Sequence, residues 1–145
     1  MSGKRSFPLL GGRAEGDEMD AIVKQIALKL DNLGIGYFVD SSGKLLVPLP
    51  NNFDCLSIGA LKNDNSDTIL EMVQAGWHTH GDLLNGSEVD EADAIVSFIE
   101  DILDGEILLI EEYVPGEQPR KFVEDDLELY LRNLPAGAEY KIYNK

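Results

Sequence analysis

Apolar residues recur at helical spacing through DEMDAIVKQIALKLDNLG, where Met19, Ile22, Val23, Ile26, Ala27, Leu30 and Leu33 fall on one side. The spacing predicts an amphipathic helix over residues 17–33. Asp17, Glu18 and Asp20 suit the positive end of its dipole, and Gly34 suits the position after its last turn. IGYFVDSSGKLLVPLP then offers two short apolar runs around Asp40, Ser41, Ser42 and Gly43, which is a hairpin pattern. FDCLSIGAL and TILEMVQAGWHTH read as two further strands separated by the polar loop KNDNSD. Connections this short do not allow parallel crossovers, so a helix followed by four antiparallel strands is expected.

After residue 86 the period changes. Ala92, Ile95, Val96, Ile99, Ile102 and Leu103 form an apolar stripe ending at Gly105, predicting a helix over 88–104, and Asp93, Ser97, Glu100, Asp101 and Asp104 fall on its opposite face. EILLIEEYV reads as a strand, PGEQPRK as a turn, and FVEDDLELYLRNL as a short helix with Leu127, Tyr130, Leu131 and Leu134 on one side. AEYKIYNK closes the chain as an edge strand. The pattern specifies a single α+β domain over residues 1–145, an antiparallel sheet packed against helices, with residues 1–15 as a flexible or extended N-terminal segment. A chain of 145 residues can bury a sizeable core without disulfides or metals, and 43% hydrophobic and 27% charged residues is ordinary for a folded protein.

Charge changes this picture more than composition does. The net charge is −15, and residues 82–128 hold 16 Asp or Glu against only Arg120 and Lys121. Nucleic acids and anionic membranes are normally bound through basic patches, so neither is an expected partner; a basic protein is the electrostatic complement. The charge alone also suits simple solubility. No apolar run is long enough for a secretory signal or a membrane span, and Cys55 is the single cysteine. A reducing cytoplasm is therefore the expected setting, with Cys55 packing inside a strand rather than acting as a nucleophile.

Catalytic chemistry is concentrated in WHTHGDLLNGSEVD, residues 77–90, which holds both histidines. In an extended segment His78 and His80 share a face, as the start of a zinc site requires. His-x-His followed by Ser87 and Asp90 resembles the zinc motif of the JAMM/JAB isopeptidase family, and the resemblance implies metal binding by His78, His80 and Asp90 with Ser87 assisting an oxyanion. The chain departs from that pattern. Six residues instead of seven separate His80 from Ser87, Gly81 stands where the family has proline, and no glutamate lies between Glu18 and Glu71 to serve as the upstream catalytic base. The same residues read equally as a strand end, the turn residues Gly81, Asn85 and Gly86, and a Ser87-x-x-Asp90 capping box. That structural reading is preferred, with no catalytic and no metal-binding residues assigned, and with Trp77 as a packing or interface aromatic.

No phosphate loop, GxSxG elbow, haem or iron–sulfur signature is present, so no cofactor is expected. Small, acidic and without catalytic machinery, the chain resembles the bacterial immunity proteins of polymorphic or contact-dependent growth-inhibition toxin systems. The resemblance implies a non-enzymatic module that covers the active site, or a neighbouring surface, of a cognate basic toxin. On that reading the candidate interface comprises Trp77, Asp93, Glu100, Asp101, Asp104, Glu111, Glu112, Tyr113, Asp125 and Asp126. Two alternatives remain: a zinc hydrolase or metal-binding domain built on His78 and His80, and an acidic adaptor or nucleic-acid mimic.

Overall fold

The computed structural model describes residues 21–61, 64–80 and 90–145. Helix α1 (Ala21–Leu33) buries Val23, Ile26, Ala27 and Leu30, the centre of the apolar stripe, and leaves Leu33 half exposed. It stops at Gly34, whose φ of 74° a residue with a side chain adopts only with strain. The expected first turn at 17–20, including Met19, and the N-terminal segment 1–15 lie outside the described residues.

Strands β1 (Phe38–Val39), β2 (Leu45–Pro48), β3 (Cys55–Leu61), β4 (Asp64–Met72) and β5 (His78–His80) form an antiparallel meander in chain order. The first hairpin turns where the sequence predicts: the Asp40 carboxylate accepts from the Ser42 and Lys44 amides, and Gly43 takes a positive φ. Register aligns Leu45 with Ile58 and Leu70, and Val47 with Leu56 and Met72, so one face of the sheet carries two rows of fully buried apolar side chains. Five strands replace the expected four, because TILEMVQAGWHTH is not one strand. It folds back at 73–77, where the buried Asp54 carboxylate accepts from the Gln74 and Ala75 amides at 3.0 and 2.8 Å and Gly76 takes a φ of 78°. The polar loop is also shorter than predicted, since β4 already begins at Asp64.

Helix α2 (Glu91–Asp104) lies on the same apolar layer, burying Ala92, Ile95, Val96, Phe98, Ile99 and Ile102. Leu103, assigned to that stripe from the sequence, is exposed. The helix starts three residues later than predicted. Asp90 is its N-cap residue, with no side-chain cap bond, which moves the cap away from Ser87; Ser87 itself lies outside the described residues. Instead, Glu91 in the first turn accepts from the buried Thr68 hydroxyl at 2.6 Å and ties the helix to β4.

A second antiparallel sheet contains β6 (Leu108–Tyr113) between β7 (Arg120–Glu124) and β8 (Glu139–Ile142), with helix α3 (Leu127–Arg132) connecting β7 to β8. β8 is an edge strand, as expected. The sequence reading is corrected at β7: RKFVE is strand, not turn and helix, because Phe122 and Val123 pair with Ile110 and Leu109. The helix begins only after Asp126, whose carboxylate accepts from the Leu129 amide.

Leu109 joins this second sheet to the common core, and Phe53 meets Tyr143 edge to face at 4.9 Å. Asn144 completes the seam. Its side chain accepts from Leu109 N–H and donates to the Ile102 and Ile107 carbonyls, satisfying backbone groups where α2 ends. The result is an α+β fold with antiparallel sheets packed against helices. No helix among the described residues is long and apolar enough to cross a membrane.

Candidate functional site

Helical geometry sets the acidic face of α2. Asp93, Glu100 and Asp104 lie along one narrow line opposite the buried stripe, with Asp101 beside it. Asp93 reaches Lys29 of α1 at 2.6 Å, and this hydrogen bond raises the lysine's pKa above its ordinary value. Glu100 and Asp101 are half-buried, and Asp104 is exposed. These last three occupy the negative end of the helix dipole, and the last turn contains no base. Like-signed charge there opposes helix stability.

The second sheet adds more carboxylates at that end. Leu108 pairs with Glu124, so the short connection from α2 through Glu106 leads directly to the end of β7. Asp125 and Asp126 are both exposed, although Asp126 already caps α3. Residues some twenty positions apart in sequence thus share one acidic end of the molecule.

Glu111 and Glu112 follow different paths because adjacent strand residues face opposite sides. Glu112 is only 4% exposed, and its carboxylate accepts from Tyr130 Oη at 3.1 Å and from the Arg120 guanidinium at 3.3 Å. Burial and this carboxylate push the Tyr130 hydroxyl far above its ordinary pKa. Glu112 is therefore withdrawn from the acidic surface. Glu111 accepts from Tyr143 Oη at 2.5 Å. That bond, with further help from Tyr113, Lys121 and Lys141, holds its carboxyl below the usual range, while Tyr143 is pushed up to about 12. Tyr113 stands 39% exposed at the end of β6.

Trp77 lies apart from the acidic end. It stacks on Phe98 of α2 with ring centres 6.0 Å apart and lines a cleft of about 520 Å³ between the 73–77 turn and β7, together with Glu111, Arg120, Lys121 and Phe122. The candidate residues therefore form two regions of opposite character. One is acidic, at the end of α2. The other is a concave cleft lined by cations and aromatic rings, which no motif in the sequence announces because Arg120 and Lys121 read there as turn residues.

His78 is exposed on β5, directly across from Glu71. Among the described residues no group of three or more His, Cys, Asp or Glu side chains could hold a metal ion. The His80 side chain and residues 81–89, which contain the rest of the isopeptidase-like motif up to Asp90, lie outside them. Cys55 is half-buried, and burial raises its thiol pKa, which is the opposite of what a nucleophilic thiolate needs. Neither protein-family models, curated proteins nor solved structures yield a match to this chain.

Proposed function

We propose that this protein is a non-enzymatic binding module that neutralises a basic protein toxin, in the manner of a bacterial immunity protein, working in the cytoplasm. The observation that carries the reading is the concentration of carboxylates where they oppose local stability. Glu100, Asp101 and Asp104 load the negative end of α2, Glu106 follows them in the chain, and Glu124 pairs with Leu108 just beyond. Residues that break a local rule are expected at functional sites. A basic surface complements that charge, and the same field accelerates encounter. Apolar anchors are available beside the charges in Leu103 and Leu129, which are 42% and 46% exposed.

The test is association kinetics with the toxin encoded beside this protein's own coding sequence, measured across a range of salt concentrations. Reversing Asp101 and Asp104 to Lys slows association by about tenfold at low salt and flattens its salt dependence. An association rate indifferent to both salt and charge reversal rejects the electrostatic reading. Failure to protect cells from that toxin rejects the immunity function itself.

A further inference from the structure

In so acidic a chain, the cleft beside Trp77 is an electrostatic exception. Lys121, Glu111 and Lys141 stand in one cross-strand row, and Arg120 and Glu112 are paired in the next; of these, Arg120, Lys121 and Glu111 line the cleft, two cations against one carboxylate. Both carboxylates are already engaged by tyrosine hydroxyls. The lysines are not neutralised by direct contact with them. Lys121 Nζ donates to the Phe53 carbonyl at 2.7 Å and lies 5.2 Å from the Phe53 ring centre, while Lys141 lies 4.5 Å from the centre of Tyr143. Ammonium groups held by a carbonyl and by ring faces keep their full charge, which Lys121 and Lys141 share through space with the Glu111 carboxylate between them. The Arg120 guanidinium stacks at 5.1 Å over Phe122 and keeps a largely exposed side chain, leaving donors beyond the one that meets Glu112.

The cleft is also fixed in shape. Asp54 pins the 73–77 turn through the Gln74 and Ala75 amides, and Lys121 bonds to Phe53, the residue before it, so lip and wall share one anchor. Its volume of about 520 Å³ is in the range of small-molecule sites, and Trp77 supplies an aromatic wall. We propose that this cleft binds a small organic or inorganic anion through a carboxylate or phosphate group, with Arg120 and Lys121 as the charged contacts and Trp77 beside the bound molecule. The inference does not rest on the toxin-binding reading, since the acidic end of α2 has the opposite sign and meets β7 only at its far end, Glu124.

Trp77 is the single tryptophan of the chain, so its fluorescence reports on the cleft directly. Citrate and inorganic pyrophosphate are titrated separately into the whole protein, with sodium chloride matched for ionic strength as the reference. A saturable emission change with citrate assigns the carboxylate class, and one with pyrophosphate the phosphate class. Gln74→Glu adds a carboxylate at the exposed lip and weakens the response at least about tenfold, as expected for one added repulsive charge at close range. Gln74→Ala preserves it, and both variants keep the parent melting temperature. Pro119→Glu, on the opposite lip, repeats the loss should Gln74→Glu disturb folding. No saturable response to either anion, a response equalled by sodium chloride, or full binding by folded Gln74→Glu overturns the proposal.

Discussion

The two sheets bury different chemistry. The five-stranded sheet presents rows of fully buried Leu, Ile, Val and Met to α1 and α2, and its principal buried carboxylate, Asp54, serves a turn at its margin. The three-stranded sheet buries Leu108, Leu109 and Ile110 and adds polar and aromatic pairs to them. Glu112 sits under α3 with Tyr130 and Arg120, Glu111 binds Tyr143, and Tyr130 meets both Phe122 and Tyr140 at ring-centre distances below 6 Å. Hydrophobic burial is non-directional and tolerates drift in position, whereas hydrogen-bonded pairs hold only at defined geometry. The polar pairs of the second sheet therefore fix the placement of β7 and α3, the elements that carry the cleft wall and the carboxylates after it.

Paired truncations sharpen that contrast most. Leu70→Ala removes a fully buried side chain from the middle of the first sheet and should cost about 3 kcal/mol, lowering cooperative unfolding of the whole domain. Glu112→Ala strands the Tyr130 hydroxyl without its acceptor and frees a guanidinium that remains in reach of water, so a smaller loss of about 1–2 kcal/mol is expected. Its effect should be local. Hydrogen exchange ought to show α3 and β7 opening before the first sheet does; uniform destabilisation by both variants would erase the distinction between the sheets.

The second sheet should also respond to pH, at both the acid and the alkaline end. Glu111 has a lowered folded pKa, so its contribution is fully present above the unfolded carboxyl value of about 4.3 and is lost as pH falls through the lower folded value. Tyr143 is raised to about 12, so its contribution is full below the unfolded tyrosine value of about 10 and is lost as pH rises between the two. Melting temperature followed across these two windows should fall at both ends. Glu111→Gln removes the acid-side dependence of this pair and shifts the alkaline loss towards pH 10, because the neutral amide no longer opposes ionisation of Tyr143. An unchanged pH profile in that variant would mean that the pair does not couple to folding.

The same contrast explains what could be read in advance. The first half was legible because its helix and strands carry clean periodicity: Val23, Ile26 and Leu30 name the buried face of α1, and Asp40 to Gly43 name a turn by its chemistry. The fold-back at 73–77 was hidden because its stabiliser, Asp54, lies about twenty residues away. β7 was hidden for a similar reason. Arg120 and Lys121 look like turn residues and Glu124 to Glu128 like a helix start, until pairing with β6 supplies the strand's partners. At the candidate site, the acidic stripe of α2 follows from helical spacing alone. The burial of Glu112, the cationic cleft and the seam closed by Asn144 all depend on contacts between distant segments, which no single-sequence pattern encodes.

The smallest effect separates the acidic end of α2 from an ordinary solvated helix face. If Glu100, Asp101 and Asp104 were only solubilising charges, neutralising them would alter neither folding nor binding beyond noise. Their position predicts otherwise. Asp101 and Asp104 stand where backbone carbonyls concentrate negative charge, with Glu106 following, so Asp101→Asn and Asp104→Asn should each stabilise the free protein by about 0.3–1 kcal/mol at low ionic strength. The gain should shrink as salt is added, because screening removes the repulsion that the substitutions relieve. Association with a basic partner should weaken in the same variants, giving opposite signs for stability and binding at one pair of residues. Chemical denaturation at two salt concentrations measures the first sign and association kinetics the second. Stability unchanged or reduced in both variants would remove the dipole argument, and the acidic end would then have no physical claim over any other charged surface of the molecule.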